Sequence, residues 1–183
     1  EDEAVNDKAD EAMNEAADVG TEDESVNEAA DAETEDTAAS DSFAPYGHGI
    51  GDRLPDFTAK CLDGSTFTLS DNTGKITVIH LWATYSKDSI EGLRELDAFC
   101  RKQGDKVAAI AVHNHYSSGK AAEYAKDIDI PVAIDNGDEE IFRLTGGSMM
   151  LPRTVILNGS GEVIYNSKRL LTREQLEDLF RDK

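Results

Sequence analysis

From Phe43 onward the chain alternates short apolar runs with amphipathic stretches, and the periods of those runs predict its elements. Residues 57–61 and 66–69 alternate apolar and polar positions around Asp63-Gly64, the pattern of a β-hairpin. Residues 75–82 (KITVIHLW) are an apolar run of strand length, which predicts a strand buried on both faces. Ile90, Leu93, Leu96 and Cys100 then recur at spacings of three and four, predicting a helix over 87–103 that Gly104 ends. Residues 107–112 read as a second buried strand, 118–127 as a helix and 130–134 as a short edge strand. A further helix is predicted over 138–144, ahead of Gly146-Gly147. Residues 153–158 and 162–166 form a hairpin about Gly159-Ser160-Gly161. The last helix, over 173–181, has Thr172 and Gln175 in capping-box positions.

Strands alternating with helices imply right-handed parallel crossovers, and the closing hairpin adds antiparallel strands. The expected fold is α/β, a mixed central sheet with helices on both faces and a hairpin ahead of it. In such a sheet ligands bind beyond the carboxyl ends of the parallel strands. That rule brings residues 82–86, the His113-Asn114-His115 stretch and Leu151-Pro152 to one rim.

Charge divides the chain in two. Residues 1–42 hold 17 acidic residues and one lysine, a net of −16, whereas the other 141 carry 21 acidic and 17 basic residues, a net of −4. The first 42 contain no aromatic residue, and Asn14-Glu-Ala-Ala-Asp18 recurs 13 residues later as Asn27-Glu-Ala-Ala-Asp31. Too little apolar surface is present to offset about 1–2 kcal/mol per residue of backbone ordering, so this part is expected to be a disordered acidic tether. As a flexible coil it would span about 36 Å, and more under self-repulsion. Residues 43–183 are then a single domain. The acidic balance argues against nucleic acid as a partner. No run approaches the roughly 18 apolar residues of a membrane span. The chain begins at Glu1 rather than Met, and an acidic tether ahead of a compact domain resembles the spacer of a surface lipoprotein, so a lipid anchor upstream is an expectation.

The motifs of the domain carry a resemblance. Residues 78–96 (VIHLWATYSKDSIEGLREL) resemble the strand–loop–helix of the thioredoxin superfamily, and most closely its TlpA-like redoxin branch, whose members read FWATWCxxC. Upstream, residues 51–57 (GDRLPDF), Asp63-Gly64 and Leu69-Ser70-Asp71 are similar to that branch's lead-in. Downstream, residues 150–157 (MLPRTVIL) and 159–163 (GSGEV) resemble its cis-proline loop and hairpin. The resemblance covers about residues 50–180. It implies a thioredoxin-like fold and a thiol–disulfide oxidoreductase of extracytoplasmic type, acting as a monomer on protein thiols without cofactor or metal. It also implies a groove for an extended polypeptide formed by Trp82, Tyr85, Leu151 and Pro152, with Leu151–Pro152 cis.

One departure decides the chemistry. Where the branch has Cys-x-x-Cys this chain has Ser86-Lys87-Asp88-Ser89, with Ser86 in the nucleophile's place and Ser89 in the resolving place. Exchange requires a thiolate attacking a disulfide sulfur, and a serine hydroxyl forms no S–S bond. The chain as written is therefore expected to be inactive in exchange. Two origins stay open: an engineered Cys→Ser form of an oxidoreductase, or a natural redox-silent binding module. Gly92 and Arg94, where the branch often carries an acidic residue and a proline, lean toward the second.

The remaining chemistry-bearing residues have plainer readings. His113 and His115 alternate, so they should point apart and hold no common metal. A Ser86–His113 nucleophile pair is conceivable at the shared rim, without a visible third group. His80 lies inside the apolar run and reads as a hydrogen-bonded core residue. Cys61 and Cys100 read as separate core thiols, with a structural disulfide as the alternative.

Overall fold

The computed structural model describes residues 45–181 of the chain, so the reading of 1–42 as a tether lies outside the described residues. A two-stranded hairpin, β1 (Thr58–Lys60) and β2 (Thr66–Thr68), precedes the main sheet and turns at Gly64, which has φ +88°. The main sheet has five strands: β3 (Ile76–Trp82), β4 (Val107–His113), β5 (Val132–Ile134), β6 (Arg153–Leu157) and β7 (Val163–Ser167), in the order β5-β4-β3-β6-β7. β3, β4 and β5 run parallel, while β6 and β7 are antiparallel additions. The helices are α1 (Lys87–Gln103), α2 (Ala121–Tyr124), α3 (Glu140–Leu144) and α4 (Arg173–Phe180). This is the mixed α/β sheet that the alternation of patterns predicts, in the thioredoxin-like arrangement that the family resemblance implies.

The period of β3 divides the core. Ile79 and Leu81 face a layer built from the hairpin residues Phe57, Ala59 and Phe67 and from Ile141 and Phe142 of α3. Val78 and Trp82 face Leu93, Leu96 and Phe99 of α1 and Leu176 of α4. A central strand covered on both faces explains why the 75–82 run shows so little alternation.

Caps set the helix ends. Ser86 begins α1, and Gly104 ends it with φ +58° and its N–H on the Cys100 carbonyl. Thr172 and Gln175 form the reciprocal capping box of α4.

Two helices are shorter than the sequence pattern suggests. The 118–127 stretch is helical only over α2, because residues 115–120 form a 3-10 segment kinked at Ser117. There Thr84 Oγ1 donates to the Ser117 carbonyl (3.0 Å) and Ser117 Oγ to Asn114 Oδ1 (2.7 Å). Those tertiary bonds outweigh local helix propensity. α3 starts at Glu140 rather than 138, because Glu139 is left-handed (φ +51°) and the buried Asp135 carboxylate accepts from the Ile141 and Phe142 N–H groups.

Candidate functional site

The loop after β3 and the first turn of α1 carry the two serines. Ser86 adopts extended φ/ψ (−107°, 104°), so the chain enters the helix there and the Ser86 Oγ accepts from the Ser89 N–H (3.3 Å). The same hydroxyl donates across the rim to the Leu151 carbonyl (3.2 Å). Ser89, one turn in, is fully buried. Its Oγ accepts from the Ala83 N–H (3.1 Å) and donates to the Ser86 carbonyl (2.8 Å), with the Ala83 carbonyl also within reach (3.1 Å). Both hydroxyls thus fasten the loop to the helix.

Three loops meet here through Tyr85. Its OH accepts from Asn114 Nδ2 (3.3 Å), and the Met149 carbonyl (3.4 Å) and sulfur (3.8 Å) lie within reach of its proton. Burial, followed by the nearby Glu139 carboxylate, raises the Tyr85 pKa. Tyr85, Met149 and Met150 are exposed, Leu151 is half-buried and Pro152 is buried, and the Leu151–Pro152 peptide is cis.

Trp82 departs from its expected place in the groove: it is fully buried and presents no surface to a ligand. It packs under the loop with the His113 ring edge-on at 4.5 Å, and its Nε1–H has no hydrogen-bond partner among the described residues. The strand-end rule brought Asn114 to this rim but not to Tyr85, and nothing in the sequence flagged Met149, since each joins Tyr85 across a long stretch of chain.

The histidines are committed elsewhere. His113 Nε2 accepts from the Thr84 N–H (3.0 Å), so Nδ1 carries the proton and donates to the Asn114 carbonyl (2.6 Å). Burial lowers the His113 pKa, opposed by that second bond. With both nitrogens engaged, the conceivable Ser86–His113 pair is not formed. His115 is exposed whereas His113 is buried, as their alternation implies. His80 is buried and donates from Nε2 to the Ser89 carbonyl (2.9 Å), while Nδ1 accepts from Thr154 Oγ1 (3.1 Å). Burial brings its pKa down to about 4, only partly offset by the Ser89 bond. The ring also explains Gly92: a Cβ there would stand 2.7 Å from His80 Cε1. An imidazole fills the space behind the motif that a side chain at position 92 would need.

Neither thiol substitutes for the missing pair. Cys61 and Cys100 are free, and they pack on opposite sides of the sheet. Burial raises the Cys61 pKa and, with the Asp97 charge, pushes that of Cys100 up to about 12. Among the described residues no three His, Cys, Asp or Glu side chains converge as metal ligands would.

A mixed sheet, a serine-capped helix after β3 and an X-Pro loop facing that cap define a thioredoxin-fold oxidoreductase scaffold. Residues 50–179 match the Redoxin family, and the chain belongs to that family, in its thiol–disulfide oxidoreductase group. It is 31% identical over 132 residues to the thiol–disulfide oxidoreductase ResA of Bacillus thuringiensis subsp. konkukian, covering 70% of this chain and 75% of that protein. Against the thioredoxin-like protein YneN of Bacillus subtilis, identity is 27% over 137 residues, covering 69% and 76%. Among solved structures, StoA from Bacillus subtilis superposes with a TM-score of 0.59 at 20% identity, over 68% of this chain and 96% of that one. The exposed lipoprotein thioredoxin of Streptococcus pneumoniae gives 0.61 at 20% identity, over 70% and 100%.

Proposed function

We propose that this chain is a redox-silent member of its oxidoreductase family. It holds a protein partner, as an extended polypeptide segment, against Tyr85, Leu151 and Pro152 without exchanging disulfides with it. The observation that carries this reading is the engagement of both motif hydroxyls: Ser86 on the Leu151 carbonyl and Ser89 between Ala83 and Ser86. Serine here closes the site by hydrogen bonds, where a sulfhydryl would be a poor donor. The Leu151 N–H makes no bond among the described residues, which leaves a backbone donor for an extended segment. The exposed Tyr85, Tyr116, Met149 and Met150 supply apolar surface.

The thiol–disulfide oxidoreductases among the relatives support a second reading, in which the chain is a Ser-for-Cys form of an exchange-competent enzyme. Under both readings the chain as written reduces no disulfide, and insulin reduction above background would refute both. The double change Ser86→Cys, Ser89→Cys separates them. An interrupted enzyme regains turnover, a first-cysteine pKa clearly below about 8.5 and a thioredoxin-like reduction potential. A binding module, with Gly92 and Arg94 in its helix, oxidises without efficient turnover. The reading carries with it a monomer outside the cytoplasm, tethered as a lipoprotein, by analogy with the pneumococcal thioredoxin, an exposed lipoprotein of the same fold. Recovery of the native protein from the cytoplasmic fraction would refute that setting.

A further inference from the structure

A cationic corner flanks the Leu151–Pro152 loop. Arg153, the next residue, is half-buried on β6. Its Nη1 donates to Asn166 Oδ1 (2.5 Å), while its Nε is enclosed without a hydrogen-bond partner among the described residues. Asn166 is itself aimed, because its Nδ2 donates to the carbonyls of His48 (2.8 Å) and Thr145 (3.3 Å). Ser167 pairs with Thr154 at the end of β7, so the chain leaves the sheet at the same end as Arg153, and the next two residues, Lys168 and Arg169, are exposed. Leu170 Cδ1, which would lie 3.3 Å from a Cβ at Gly92, anchors that segment to α1.

Among the described residues none of the three cations forms an ion pair, although acidic residues outnumber basic ones 38 to 18 in the whole chain. Burial lowers the Arg153 pKa, the direction expected of a guanidinium short of solvent. Cations without an ion pair on a negative molecule select for their opposite.

The geometry points to Arg153, Lys168 and Arg169 as an acceptor for a carboxylate of the bound partner, an Asp or Glu flanking the segment that lies on Leu151–Pro152. This rests on the binding reading above and adds a specificity to it. Nucleic acid is the disfavoured anion, since a net charge of −20 repels a polyphosphate.

The test uses the full chain and two fluorescein-labelled decapeptides that share one Val/Thr-rich extended core. One is flanked by two glutamates and the other by two glutamines. The glutamate peptide is expected to bind about tenfold tighter at low salt, an advantage that fades as ionic strength rises. The double variant Lys168→Gln, Arg169→Gln and the single variant Arg153→Gln should each shrink that preference. The Nε–Hε resonance of Arg153 should shift with hexaglutamate alone. Equal binding of the two peptides overturns the corner and leaves the groove standing. If neither peptide binds while hexaglutamate still shifts Arg153, the groove reading fails and the corner stands. No binding and no shift overturns both, and tighter binding of a single-stranded oligonucleotide overturns the carboxylate assignment.

Discussion

Replacing Gly92 by alanine sets helix propensity against a close approach. Gly92 lies inside α1, where glycine is about 1 kcal/mol less favourable than alanine, so propensity alone makes the substitution stabilising. Packing opposes it. The new Cβ would stand 2.7 Å from His80 Cε1, 3.1 Å from Nε2 and 3.3 Å from Leu170 Cδ1. The imidazole cannot retreat freely, because Thr154 Oγ1 holds one nitrogen at 3.1 Å and the Ser89 carbonyl the other at 2.9 Å. Overpacking costs about 1–3 kcal/mol, and a buried carbonyl left unpaired a similar amount. Gly92→Ala should therefore lose about 1–3 kcal/mol net. Urea unfolding followed by far-UV circular dichroism should show a lower midpoint at an unchanged m-value. A double-mutant cycle with His80→Ala isolates the cause: once the ring is gone, the same alanine should stabilise by about 1 kcal/mol, giving a coupling of about 2–4 kcal/mol. A stabilised Gly92→Ala protein, or additive effects in the cycle, would refute the steric pairing.

Two further outcomes follow from buried titratable groups. His80 has its pKa depressed from 6.5 to about 4 by burial, so the unfolded chain takes up the proton first as pH falls. Stability should be full above pH 6.5 and decline toward pH 4, by up to about 3 kcal/mol, and His80→Gln should flatten the slope; a wild-type curve without that slope counts against the burial argument. His113, shifted the same way, adds to the decline. The thiols should be nearly inert: at pH 8 an aromatic disulfide reagent should react slowly with native protein and release two thiols per chain after unfolding. Prompt native reaction would contradict the burial of Cys61 and the raised pKa of Cys100.

What the sequence made legible is what depends on near neighbours. The start of α1 at Ser86, its end at Gly104 and the Thr172–Gln175 box rest on contacts within a turn, and local residue types suffice to place them. The strand pattern of β3 and β4 is legible because burial on both faces demands apolar residues throughout. Long-range contacts were not legible. The 118–127 helix shrinks because Thr84 and Asn114, from other loops, capture Ser117. Trp82 read as groove surface because its place in the motif says nothing of the α1 and β4 side chains that enclose it. The His80–Gly92 fit left a trace, a histidine in an apolar strand and a glycine inside a helix, but only the folded distance joins them.

The enclosed indole has an optical consequence. Trp82 is the chain's only tryptophan, so all indole emission reports one spot directly beneath the loop that carries Tyr85 and Ser86. With no hydrogen bond at Nε1 among the described residues and no contact with water, that emission should be blue-shifted, and the edge-on His113 ring makes its intensity responsive to the imidazole's protonation. The molecule therefore carries a label-free reporter under its own candidate site. Movement of Tyr85 away from Asn114 and Met149 as a partner seats would register as a change in colour or brightness, without a dye on either protein.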